Sequence, residues 1–166
     1  MLARRCLPVA LLFILAACGG SPKTEPVKTS VLRGPGFGFS APPGWTQRRS
    51  GGVVEARSGK AVVSATTFTL LRRYEPSLFD KVVAELDRNA EKLAAQARGT
   101  LTESVTTTVA GRKIRAYRYT AGGYSTRIGF VLDGKREVQL LCRAPSGTPD
   151  PDGACALLFH TFFMLG

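Results

Sequence analysis

Phe37-Gly38-Phe39-Ser40-Ala41-Pro42-Pro43-Gly44-Trp45 (FGFSAPPGW) is the stretch on which the fold reading turns. Phe37 and Phe39 alternate with Gly38 and Ser40, the period of a strand that buries one face. Two prolines cannot extend that strand, and Pro-Pro-Gly is turn chemistry. The turn delivers the only tryptophan of the chain. A large ring placed directly after a turn is most simply a core anchor at the start of the next strand, with ligand stacking as the sharper alternative. The folded region is therefore expected to begin with β structure at Phe37.

Downstream, residues 52–57 and 60–70 form two strand candidates joined at Ser58-Gly59. In the second, Val62, Phe68 and Leu70 share a face with Ser64 and Thr66, while Ala61, Val63 and Ala65 share the other. Apolar residues on both faces predict a sheet covered on both sides. The spacing of Leu78, Phe79, Val82, Val83, Leu86, Ala90, Leu93, Ala94 and Ala97 predicts a helix over 78–98. Ser77 with Asp80 has the capping-box pattern, Pro76 blocks upstream extension, and Gly99 is placed to end the helix. Four further strands are expected at 101–109, 112–120, 123–132 and 136–143. Gly111, Gly122-Gly123 and Asp133-Gly134 stand at their junctions, which suits an antiparallel meander. A Pro-, Gly- and Asp-rich loop then leads to a last helix over about 154–165, with Asp152, or Asp150 before Pro151, as its cap.

Upstream, residues 19–36 (GGSPKTEPVKTSVLRGPG) offer few side chains for a core and are expected to be a flexible tether. Before them, Arg4 and Arg5 precede an apolar run from Leu7 to Ala17. That run is far shorter than the roughly 20 residues of a spanning helix and has the plan of a secretory signal. Leu15-Ala16-Ala17-Cys18 resembles the bacterial lipobox, which implies acylation of Cys18 as the mature N-terminus. Gly19 rather than Asp follows it, so the resemblance implies the outer membrane, facing the periplasm, in a bacterium with two membranes. The expected organisation is a lipoprotein signal over 1–17, a tether over 18–36 and one domain over 37–166.

Of 23 basic residues only Arg4 and Arg5 lie in the signal, so the mature chain carries a formal charge of about +9 against its 12 acidic residues. Such a surplus favours anionic lipid head groups, acidic polymers or an acidic protein partner; nucleic acid is not expected for an exported chain. Cys6 leaves with the signal and Cys18 takes the lipid. Cys142 and Cys155 remain as an even pair in an oxidising compartment, and a disulfide between them is expected.

Strand with Pro-Pro-Gly-Trp turn, hairpin, long helix, meander and short final helix form an order that resembles the Mog1/PsbP-like fold. Phe37 to Trp45, the central helix, and Leu140 to Phe163 (LLCRAPSGTPDPDGACALLFHTFF) carry the resemblance. It implies an α+β chain, an α/β/α sandwich around a central antiparallel sheet. Photosystem-associated, envelope and nuclear-transport proteins of this kind act mainly by binding, so the resemblance leans towards a non-enzymatic role.

The residues themselves point the same way. His160 is the only histidine, beside Phe159, Phe162 and Phe163, and reads as structural. There is no G-x-S-x-G elbow, no metal-ligand spacing around Cys142 and Cys155, and no strand–GxGxxG–helix or phosphate loop. No metal and no cofactor is expected. The suggestive constellation is basic: Arg112, Lys113, Arg115 and Arg118 on one strand, Arg127 on the next. Alternation sends Arg112 and Arg118 to one face and Lys113 and Arg115 to the other. Arg118 and Arg127 become cross-strand neighbours if the register allows. Arg112, Arg115, Arg118 and Arg127 are the candidate binding surface. The leading expectation is a membrane-anchored, non-catalytic accessory domain for another envelope protein. The alternative is a binder of anionic polymer or lipid head groups, and an envelope hydrolase comes last.

Overall fold

The computed structural model describes residues 29–165, so the expected signal, Cys18 and most of the expected tether lie outside the described residues. β1 (Ser30–Gly34), β2 (Phe37–Ala41) and the two-residue β9 (Phe163–Met164) form a small antiparallel sheet ordered β1-β2-β9. The large sheet is also antiparallel and contains β3 (Thr46–Ser50), β4 (Val53–Ser58), β5 (Ala61–Tyr74), β6 (Thr100–Val109), β7 (Arg112–Ala121) and β8 (Tyr124–Pro145). Its order is β3-β4-β5-β8-β7-β6. The helices are α1 (Phe79–Gln96) and α2 (Ala154–Thr161).

β8 is a ribbon that doubles back on itself. A strand of 22 residues would run roughly 70 Å if straight. Yet the Ser146 N–H donates to the Gly123 carbonyl at 2.8 Å, and the Arg143 guanidinium lies 5.0 Å from the Tyr124 ring centre. The first arm pairs with β7 as far as Phe130, and the second pairs with β5 from Gly134 onwards. The reversal sits at Asp133-Gly134, where Gly134 takes a φ of 58° that favours glycine. The strands expected at 123–132 and 136–143 are these two arms.

The tether expectation is corrected at its end. Ser30–Gly34 is a strand, so ordered structure begins before Phe37. Leu32 stands opposite Phe39 and is fully buried, which holds a segment otherwise poor in core residues. The capping box expected at Ser77 is also absent. Glu75 is extended before Pro76, a 3-10 turn covers Pro76–Leu78, and α1 starts from Leu78 without a side-chain cap. At the other end Arg98, not Gly99, adopts the left-handed conformation, with φ 51°. The Gly99 N–H donates to Ala94 and the Arg98 N–H to Ala95, the paired bonds of a Schellman ending. Gly99 has to be glycine for space, because a Cβ there would run into the Thr120 carbonyl and the Ala121 side chain of β7.

The large sheet is covered on both faces. On one, α1 packs Ala90 and Leu86 over Tyr117, Ile128 and Phe130. On the other, α2 and the small sheet enclose the larger core of Leu32, Phe37, Phe39, Trp45, Val131, Leu140, Leu158 and Phe162. This is the α+β sandwich around an antiparallel sheet that the resemblance implies, with a small sheet sharing the second outer layer. Trp45 is a core anchor, buried with its ring N–H donated to Asp152 at 2.9 Å. That use of Asp152 leaves Asp150 to hold α2, and its carboxylate accepts the N–H groups of Cys155 and Ala156 at 2.8 and 2.9 Å. A disulfide links Cys142 on the second arm of β8 to Cys155 in the first turn of α2, with Cα atoms 5.4 Å apart.

Candidate functional site

Helix α1 covers only part of its face of the sheet. Its core contacts fall on β6, β7 and the first arm of β8. Val54, Ala56, Val63, Ala65, Leu140 and Cys142 belong to the opposite core, so the alternate residues of β4, β5 and the second arm point to the side of α1. Register sets them in rows across the strands: Thr46, Arg57, Val62 and Arg143; then Arg48, Glu55, Ser64 and Leu141; then Ser50, Val53, Thr66 and Gln139; then Phe68 and Glu137. This uncovered half-face has an arginine-bearing end and an apolar end beside the helix.

The apolar end is a groove. Pairing of β5 with β8 breaks between Thr69 and Tyr74, so Leu70, Leu71, Arg72 and Arg73 stand as a knuckle opposite Lys135. The Lys135 ammonium donates to the Leu71 carbonyl at 2.9 Å and props the knuckle. Leu71 is 96% exposed and Phe68 46% exposed. Between the knuckle and α1 lies a cavity of about 870 Å³, lined by Phe68, Leu78, Val82, Leu86, Leu132 and Glu137 among others. A smaller cavity of about 490 Å³, reaching Phe79 and Lys113, shares Tyr74 and Leu132 with it.

Glu137 sits at the floor of this groove, and burial pushes its carboxyl above the ordinary glutamate range. It makes no ion pair among the described residues. A folded-state value above the unfolded one costs stability as pH rises from the unfolded value through the folded one. Glu137→Gln is therefore expected to raise the melting temperature at about pH 7 and to leave it unchanged at about pH 4. Thermal unfolding at the two pH values checks this, and equal shifts at both would count against it.

The four arginines singled out from sequence are divided between the two faces and each is engaged. Arg112 pairs with Asp133 at 3.0 Å, and Arg118 with Glu103 at 3.0 Å. Arg118 and Arg127 are cross-strand partners, and the Arg127 guanidinium lies 4.3 Å from the Phe159 ring centre, on the side of α2. Arg115 faces α1 and grips Asp87 with two nitrogens, at 2.9 and 3.2 Å. The Tyr117 hydroxyl donates to the same carboxylate at 2.7 Å. Burial alone would push the Asp87 carboxyl up, but the Arg115 and Tyr117 donors outweigh it and hold the group below its ordinary value. Burial, then the bond to Asp87, drive the Tyr117 phenol well above the ordinary tyrosine range. Arg115 is thus a strut between β7 and α1. His160 is exposed on the last turn of α2, away from either cavity.

Sequence reasoning missed the groove because half of it is made by a strand leaving its register. The signal was present in Leu70-Leu71-Arg72-Arg73, an apolar pair running into two arginines at the end of an overlong strand.

No known protein family and no curated protein matches this sequence. Solved structures do match its fold. The solution structure of cyanobacterial PsbP (CyanoP) from Synechocystis sp. PCC 6803 aligns with a TM-score of 0.58 at 13% identity, over 89% of this chain and 98% of that one. A crystal structure from Bacteroides thetaiotaomicron VPI-5482 aligns with a TM-score of 0.53 at 11% identity, over 78% of this chain and 45% of that one. At such identities the likeness concerns architecture alone, and the architecture of this chain is PsbP-like.

Proposed function

We propose that the protein is a lipid-anchored accessory domain of the bacterial envelope that binds another envelope protein and catalyses no reaction itself. The observation that carries this reading is the groove beside α1 with its propped knuckle. Leu71 and Phe68 expose apolar surface next to a cavity large enough to receive side chains from a partner, while Arg72 and Arg73 supply a charged rim. A PsbP-like frame supports the reading as a scaffold for contact. The lipobox at Cys18 supports the anchoring, and an unmodified Cys18 in the mass spectrum of the native protein would remove that part of it.

A photo-crosslinking residue at position 71 of the full-length, anchored chain tests the contact. In its own envelope it should give one discrete adduct that the same label at His160 does not give. Adding Leu71→Asp to a label at Phe68 should reduce that adduct at least tenfold without changing the melting temperature, since Leu71 touches little of the core. Identical adduct ladders from positions 71 and 160, or none from either, would defeat the proposal.

A further inference from the structure

The arginine-bearing end of the uncovered half-face has a different chemistry from the groove. Arg48, Arg57 and Arg143 come from β3, β4 and the second arm of β8, yet the register brings them to one side of the sheet. Arg57 and Arg143 both align with Val62 of β5 and stand two strands apart, about 10 Å between backbones. Arg48 is one strand and one row away from Arg57, about 8 Å on the diagonal. One carboxylate lies among them. Glu55 is taken by Arg57 through two hydrogen bonds, and its own carboxyl is held low first by that bond, against some burial, and then by the charges of Arg57, Arg48 and Arg143. Three guanidinium groups therefore share one carboxylate, and Arg48 and Arg143 have no ion-pair partner among the described residues. The Arg143 guanidinium carbon lies 5.0 Å from the centre of the Tyr124 ring, a cation–π contact that helps to place it.

We infer that this face binds a soluble anionic polymer, with Arg48 and Arg143 contacting separate carboxylate or phosphate groups along it and Arg57 held between them by Glu55. The arrangement argues for a chain of charges, because three guanidinium-bearing residues set out over four strands with one carboxylate among them make an extended positive surface and not a single closed cradle. The floor argues against a membrane. Ser64, Thr66 and Gln139 are polar, Val62 is 5% exposed, Val53 and Leu141 are half-buried, and the exposed Phe68 and Leu71 lie at the groove end. Guanidinium forks suit carboxylate and phosphate alike. The inference is independent of the protein contact at the groove, so either can fail alone.

The test measures binding of the detergent-solubilised mature chain to poly-L-glutamate and to inorganic polyphosphate at about 50 and about 200 mM salt. Vesicles of phosphatidylglycerol and phosphatidylcholine in equal parts form a third arm. Arg48→Glu with Arg143→Glu should weaken polymer binding at least tenfold and lower the log–log salt slope by about 2. Arg49→Glu with Arg88→Glu makes the same change in net charge elsewhere and should stay within about twofold of the wild type. If the reversed pair unfolds, Arg48→Gln with Arg143→Gln takes its place. An equal loss in both double variants would reduce the effect to bulk charge and overturn the site. So would no binding to either polymer at the lower salt. A loss confined to the vesicle arm would assign the face to a membrane and overturn the polymer.

Discussion

Replacing Cys142 and Cys155 together by serine should lower the folding free energy by about 3 kcal/mol, the loop-entropy value for a bridge across 13 residues. For a domain of this size that is a fall of about 10 °C in melting temperature. The loss should concentrate in one place. The bridge fixes the first turn of α2 to the second arm of β8, and α2 carries Leu158, Phe159 and the chain leading to Phe162 into the larger core. Hydrogen exchange should therefore quicken first across α2 and β9, while the ladder between β6 and β7 keeps its protection. A reduced protein that melts within about 2 °C of the oxidised one would show that packing alone holds the helix.

Asp87→Ala is expected to cost about 2–3 kcal/mol, nearly as much as losing the disulfide. Asp87 is half-buried on α1 and accepts from both Arg115 and Tyr117 of β7. Removing it leaves a 1% exposed tyrosine without its acceptor and a guanidinium without its counter-charge. A double-mutant cycle with Tyr117→Phe should return a coupling of about 1 kcal/mol or more, because phenylalanine at 117 carries no buried hydroxyl to be left without its acceptor. The pH dependence has a definite sign. The Asp87 carboxyl is held below its ordinary value, so its contribution is complete above that value and fades as pH falls through the lower, folded one. The wild type should lose stability on acidification below about pH 4, and Asp87→Ala should lose less over the same range. Parallel curves for the two proteins would contradict the assignment.

The order of elements was legible from periodicity, because the stripe of α1 and the turn glycines of the meander are local signals. Alternation also placed Arg112 and Arg118 on one face and Arg115 on the other. What the sequence could not convey was long-range. Nothing near Ser30–Gly34 announces a strand, since its place depends on Leu32 meeting Phe39. β3 is exposed at every position and shows no apolar alternation to read. Which acid caps α2 was open until Trp45 claimed Asp152. The arginines were the hardest to read for the same reason. Arg112, Arg115, Arg118 and Arg127 stand close in sequence, yet Asp133, Asp87, Glu103 and Phe159 occupy them. Arg48, Arg57 and Arg143 are scattered over nearly a hundred residues and meet only through strand pairing.

The short β1 determines how the domain responds to mechanical load. Ser30 stands opposite Ala41, at the open end of the hairpin, and Gly34 opposite Phe37, beside its turn. A pull on the chain at Ser30 opens the β1–β2 ladder from that end, one pair after another, as a zip opens, instead of shearing all its bonds at once. Leu32, the one fully buried side chain of the strand, sets the resistance midway. Behind it, β2 stays held by β9 and by the Thr161 hydroxyl, which accepts the Ser40 N–H at 2.8 Å. Tension arriving through the N-terminal chain would thus free one strand before it reached the core.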